Sequence, residues 1–338
     1  MAHTLTRLPR GSDSQFGFKK ESTYGTAVVV DKFLEAFSLG LVPNPRPIEP
    51  KGWKPGLRGK RHDADIAWVD GGAGAIGLEV PRAGSLGLWQ AAFGGSNTCA
   101  IQGAGPAYLA TFSPGAFTVA NGCSLTMQLG VPMSDGTVEP HTYSGCFIPS
   151  WKVSCEAGGI LEATFDVVAK AFSHTADLAV PTYAAAPTYF AWPMQPNVKR
   201  AGTTLPGVRS ASVSVESGLN TERRLWDGAG AMALPLETEL RSCTLELEVE
   251  PTSMAINWDD IADGTMRAWV VELVGTTAIA ATYYPTYRLT IAAGKVIGDP
   301  ISVDGPDEVL QKLTIEARDN GTDPLYKLEI MTTDTTIP

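Results

Sequence analysis

The chain has 338 residues, a formal net charge of −10, 44% hydrophobic and 18% charged residues. That length suffices for two domains of ordinary size, and the composition is that of a soluble globular protein. The acidic balance disfavours non-specific nucleic-acid binding outside local basic clusters, and no stretch approaches the roughly 20 apolar residues that span a bilayer.

The 35 Gly and 24 Pro fall largely between short strand-like runs, which predicts mainly β architecture with long loops. Residues 1–30 read as an extended N-terminal arm, without an apolar core of signal-peptide length in Met1–Lys20. A first β domain is expected over 31–172. It includes a long proline-stiffened loop, 41–62, that turns basic at Lys51, Lys54, Arg58, Lys60 and Arg61. Ile66–Val69 and Ala75–Val80 read as strands. Ser85–Phe93 reads as a short helix with Ser85 as N-cap and Gly94-Gly95 as its stop. Strands follow at Tyr108–Phe112, Ser124–Leu129 and Gly145–Val153. Residues 173–206, rich in Ala, Pro and Thr, read as a linker to a second β domain over 207–338. Its expected elements are strands at Val208–Val215, Leu234–Leu240 and Cys243–Val249, a short helix at Asn257–Asp263, and strands at Arg267–Val274, Tyr287–Ala292 and Leu325–Met331.

One segment occurs twice. Val153–Lys170 aligns without a gap on Ile301–Arg318. Val153, Cys155, Leu161, Phe165, Val167 and Ala169 meet Ile301, Val303, Val309, Leu313, Ile315 and Ala317, with the period of two of a half-buried strand. The order of strands and helix is also shared between the halves, which supports a duplication. With these apolar residues turned to the core, Glu156, Glu162, Asp166, Asp304 and Glu316 face outward. A carboxylate face is ordinarily a solvated surface. Lining a channel, it would repel phosphates and let a duplex pass without sticking.

Catalytic and metal chemistry finds little support. Gly72-Ala-Gly-Ala-Ile-Gly77 fits the dinucleotide spacing, but Pro81 blocks the helix that the motif requires, so a glycine-rich turn is expected. His3, His62, His141 and His174 do not sit at metal-ligand spacing with Cys or Asp. Asp63 and Asp65, and Asp259, Asp260 and Asp263, lack the 12-residue calcium-loop pattern. Asn320-Gly-Thr322 reads as a tight turn. Five cysteines without a Cys-x-x-Cys pair suggest reduced thiols in a cytoplasm, with Cys155 and Cys243 as small core residues. No enzyme activity, cofactor or metal is expected. The basic loop is expected to dock on an acidic neighbouring subunit rather than on phosphate.

Four stretches resemble the tail tube proteins of long-tailed bacteriophages with non-contractile tails. They are Glu21-Ser-Thr-Tyr-Gly-Thr26, Gly84–Gly95, Tyr143-Ser-Gly-Cys146 with Val153–Lys170, and Val309–Arg318. The basic proline-rich loop and the lack of a clear decoration domain depart from that pattern. The resemblance implies two tandem β-sandwich or part-barrel tube domains, each flanked by a short helix. It implies rings that stack into a hollow conduit for DNA, in the virion tail, after synthesis in the host bacterial cytoplasm. The implied partners are further copies of the chain, with tape measure, tail tip and tail terminator proteins. DNA would pass without specific binding, and no membrane is involved. Two tube domains per chain favour a trimeric, pseudo-six-fold ring over a true hexamer. The alternatives are a tail fibre or decoration β-domain, and a carbohydrate-binding β-sandwich; the eight Trp are scattered rather than clustered. Deleting residues 43–61 is expected to leave soluble protein that no longer forms tubes.

Overall fold

The computed structural model describes residues 8–52, 55–56, 58–59, 66–184, 188–194, 196–226, 231–251, 261–262, 264–298 and 308–338. The first half holds β1 (Gln15–Lys20), β2 (Lys32–Leu34), β3 (Ser38–Leu39), β4 (Val42–Pro45), β5 (Val69–Glu79), α1 (Leu86–Phe93), β6 (Thr98–Gln102), β7 (Ala107–Phe112), β8 (Leu125–Pro132), β9 (Val138–Glu156), β10 (Glu162–Ala169) and β11 (Ala171–Ser173). The second holds β12 (Pro196–Arg200), β13 (Thr203–Thr204), β14 (Val208–Glu216), β15 (Leu219–Asn220), β16 (Leu236–Glu237), β17 (Ser242–Val249), β18 (Arg267–Val274), β19 (Thr286–Gly298), β20 (Gln311–Ala317) and β21 (Lys327–Thr332). The protein is mainly β: among the described residues one large antiparallel sheet does not close into a barrel, and β15 and β16 form a separate two-stranded sheet.

The two halves repeat one pairing scheme. Neighbours run β2–β1–β8–β9–β10–β5–β4 in the first. They run β13–β12–β18–β19–β20–β17–β14 in the second. The registers match as well. Phe165 lies opposite Ile76, and its sequence counterpart Leu313 lies opposite Leu247. Even the irregularities recur. The shift between Asp166 and Val168, opposite Ser150 and Phe147, returns opposite Gly298 and Lys295. The shift between Leu125 and Met127 returns between Arg267 and Trp269. Bulges are specified features of a fold, so their recurrence at counterpart positions marks duplication more sharply than shared strand order does. The β6–β7 hairpin has no counterpart among the described residues and adds its β7 edge to β21.

Several expected elements take another form. The glycine-rich run Gly72–Gly77 is not a turn but the middle of β5, which continues without a break from Val69 to Glu79. Its glycines let neighbours close in: a Cβ on Gly72 would lie 2.6 Å from the Tyr143 ring, and one on Gly74 would meet the backbone of Gly40. No helix begins there, which removes the phosphate-binding geometry. Ser85 stands at the N-cap of α1, but its side chain makes no capping bond; its carbonyl accepts from Leu88 and Trp89 instead. The arm contains β1, the long loop contains the proline-bearing edge strand β4, and residues 173–206 contain β12 and β13. Only Leu236–Glu237 of the expected strand 234–240 is extended into a ladder. Of the second predicted helix, Ile261 and Ala262 are the described members, both helical. The segment Ile301–Asp307 of the repeat lies outside the described residues.

Alternation of apolar and polar residues sends one face of each strand into a continuous core. Fully buried Trp89 of α1 packs edge-on to Trp151 and Phe165 of the first half and against Tyr287 of the second. Phe93, one turn on, contacts Tyr326. The single full helix among the described residues thus sits on both halves at once. The halves are also joined through the backbone: residues 150–156 of β9 pair with residues 210–216 of β14.

Candidate functional site

Six consecutive strands, β5–β10–β9–β14–β17–β20, form one uninterrupted stretch of sheet. Their inward residues are buried, among them Trp151, Val153, Val213, Leu245 and Ile315. Period two therefore places every second residue on the opposite face. On β10 these are Glu162, Thr164 and Asp166; on β9, Ser150, Lys152, Ser154 and Glu156; on β14, Ser210, Ser212, Ser214 and Glu216. On β17 they are Thr244, Glu246 and Glu248, and on β20, Lys312, Thr314 and Glu316.

Four of the carboxylates picked out in the sequence, Glu156, Glu162, Asp166 and Glu316, thus share one face that spans both halves. Asp304 lies outside the described residues. Sequence reading missed Glu79, Glu216, Glu246 and Glu248 on the same face, and the serine row of β14. Its signal was present: Ser210, Ser212, Ser214 and Glu216 alternate with apolar or small residues at period two. Lys152 and Lys312 are the lysines of this face. Glu162 stands directly opposite Glu79 across the β10–β5 ladder, an arrangement of like charges that costs stability. The Ser150 hydroxyl donates to Asp166 Oδ2 at 2.7 Å, and Arg318 pairs with Glu316 at 2.6 Å. The face is acidic, hydroxylic and open. Among the described residues no group of three or more His, Cys, Asp or Glu could hold a metal. Such a surface repels polyanions and holds water through its hydroxyls.

A second constellation gathers the residues of the Glu21–Thr26 and Tyr143–Cys146 stretches. Glu21 is buried. Its Oε1 accepts from Gly145 N and Thr126 Oγ1, both at 2.8 Å; its Oε2 accepts from Gly25 N at 2.8 Å and Ser124 Oγ at 2.7 Å. Tyr24 donates to the carbonyl of Met232 at 3.2 Å, packs edge-on to Phe147 and lies under Lys170 Nζ. Burial pushes the Tyr24 phenol well above its ordinary range, with Cys146 and Glu21 adding to the effect. Gly145 has φ 64°, and a Cβ there would enter the Tyr24 ring and Lys170. The clamp ties the N-terminal segment to β8 and β9 and reaches into the second half.

Of the basic loop, Lys51 and Arg58 are exposed, while Lys54, Lys60 and Arg61 lie outside the described residues. The base of the loop is anchored where Arg46 and Arg224 converge on buried Asp70. His141 and His174 flank Phe172; burial lowers the His141 pKa. His3, His62, Asp63, Asp65, Asp259, Asp260 and Asp263 lie outside the described residues. All five cysteines are free thiols, four of them buried.

A profile of phage tail tube proteins matches residues 11–317, from just before β1 to the end of β20. The chain belongs to the phage tail tube protein family. A search of curated proteins finds no match. A tail tube protein is a structural component of the virion tail that assembles as an oligomer into a tube. No described helix is long and apolar enough to cross a membrane.

Proposed function

We propose that this tail tube protein forms the conduit of a long, non-contractile tail as stacked rings of three copies. Each copy contributes two tube units, the first built on β1–β11 and the second on β12–β21. These boundaries lie earlier than 31–172 and 207–338, because β1 and β12, which open the two units, fall in the stretches read as arm and linker. The observation that carries the reading is the recurrence of one pairing scheme, bulges included, within a single chain. Six-fold contacts then need three chains. The acidic face of β10, β9, β14, β17 and β20 lines the lumen and keeps DNA mobile by repulsion. The basic segment between β4 and β5 makes axial contacts between rings. Tape measure, tail tip and terminator proteins are the further partners.

End-on electron microscopy of the assembled protein, with mass per ring, tests the stoichiometry: three copies are expected, and six would overturn the pseudo-six-fold reading. Replacing Glu156, Glu162 and Asp166 by Lys tests the lumen. Tubes should still form while DNA delivery falls; unchanged infectivity would put that face elsewhere.

A further inference from the structure

The repeat contains the same groove twice, once filled and once open. In the second half, β14 pairs with β17 on one side and with residues 150–156 of β9 on the other. Two backbone bonds of 2.8 Å close the ends of that junction, Ala157 N to Arg209 O and Ser217 N to Pro149 O. The remaining cavity is about 180 Å³, lined by Arg209, Ala211, Val271 and Leu273, with Cys155 of the first half and Trp192 of the segment between the halves closing it.

The first-half counterpart of β14 is β3–β4. Ser38 lies opposite Gly77 and Val42 opposite Ala73, as Ser210 lies opposite Glu248 and Ser214 opposite Thr244. Among the described residues, β3 and β4 pair only with β5. Along their other edge runs a groove of about 620 Å³, lined by Phe37, Leu39, Leu41, Val42, Leu129 and Val131. Phe37, Leu39, Leu129 and Val131 are the counterparts of Arg209, Ala211, Val271 and Leu273. The two grooves are one construction; the open one lacks the strand that β9 supplies in the other. Phe37 and Val42 are each 58% exposed there.

We infer that this groove is the ring-closing interface and that its occupant is a second copy of the chain, docked head to tail. The inference rests on the tube reading and specifies its interface. Within one chain the first half fills the groove of the second. The second half of a neighbouring copy repeats the act, starting at Gly298, the counterpart of Ser150. The sequence counterparts of Val153 and Cys155 in that neighbour are Ile301 and Val303, which lie outside the described residues. Such a contact is heterologous, and six equivalent units close it at three copies. Pro43, the counterpart of Val215, has no N–H to donate, so this edge pairs less strongly than β14. Edge proline also discourages indiscriminate strand pairing before assembly.

The test compares wild type, Phe37→Glu, Val42→Glu and a control, Leu240→Glu, at a residue 95% exposed outside the groove. Sedimentation velocity and electron microscopy read assembly; thermal unfolding of the unassembled protein reads folding. Both groove variants should unfold like wild type and need at least ~10-fold more protein to assemble, the equivalent of about 1.4 kcal/mol. The control should assemble normally. Groove variants that build normal rings overturn the inference and leave the tube reading intact. Head-to-tail oligomers that never become tubes, and that Val42→Glu abolishes, support the groove and overturn the tube. A wild type that stays monomeric at every concentration overturns both. A photo-crosslinking residue in place of Val42 should attach to another copy just beyond Gly298; attachment to that copy's first half overturns the register.

Discussion

Glu21 is a carboxylate whose partners are all neutral donors: two backbone N–H groups and two hydroxyls. Removing it leaves three buried donors and the part-buried Gly25 N–H without their acceptor, so the cost is the desolvation of those groups rather than the loss of one average hydrogen bond. Glu21→Ala should destabilise the unassembled protein by about 2–4 kcal/mol, measured by chemical denaturation. Glu21→Gln should cost less, because its amide oxygen still accepts. At Trp89 the effect is packing. Truncation to Ala would open a cavity against both halves and should cost about 3–5 kcal/mol. Glu272 sets an acid limit. Burial opposes its charge, but Arg288 and Lys199, at 3.2 and 3.1 Å, outweigh that and hold its pKa below the ordinary value. A carboxyl depressed on folding stabilises fully above its unfolded pKa, and that contribution fades as pH falls through the folded value. The melting temperature should therefore drop on acidification below about pH 4, and less steeply in Glu272→Gln.

At the scale of elements, period two was legible on β10, β14, β17 and β20, each with one buried face. Residues 162–169 and 311–317 show the same burial phase that their alignment predicts. Glycine defeated the reading of β5, because a glycine run carries no alternation and resembles a turn; what decides it is the close approach of Tyr143 and Gly40, which the sequence does not express. Gly72→Ala should destabilise by about 1–3 kcal/mol, since the added methyl meets a buried ring that cannot yield. Gly77→Ala meets Phe37, which is more than half exposed and can swing aside, so its cost should be smaller. Thermal unfolding of the pair checks the ranking. The acidic face was half legible: Glu156, Glu162, Asp166 and Glu316 follow from the repeat. Glu216, Glu246 and Glu248 lie on strands whose adjacency to β9 and β20 only the fold reveals. Proline similarly disguised β4, which reads as loop by composition yet holds the edge of the sheet.

At the scale of the molecule, the two repeats of the pairing scheme share one sheet and one buried core. The β9–β14 ladder runs through the middle of the sheet, and α1 of the first half buries Trp89 against Tyr287 and Phe93 against Tyr326 of the second. Separating the halves would expose one unpaired edge of β9 and one of β14 together with aromatic rings that are now fully buried. An uncovered strand edge of this kind invites aggregation. A chain cut in the segment 174–195 should consequently fail as isolated halves, each recovered mainly in the insoluble fraction, while co-expression of both should restore a soluble complex. Purification through a tag on one half and quantification of the other measures this directly. Soluble, monomeric isolated halves would show that the ladder is a contact between finished domains rather than part of a shared core. The same dependence bears on assembly. In the proposed ring of three copies, with the junction within the chain as the template for the junction between copies, the covalent link fixes half of the six contacts in advance and leaves three to form between molecules.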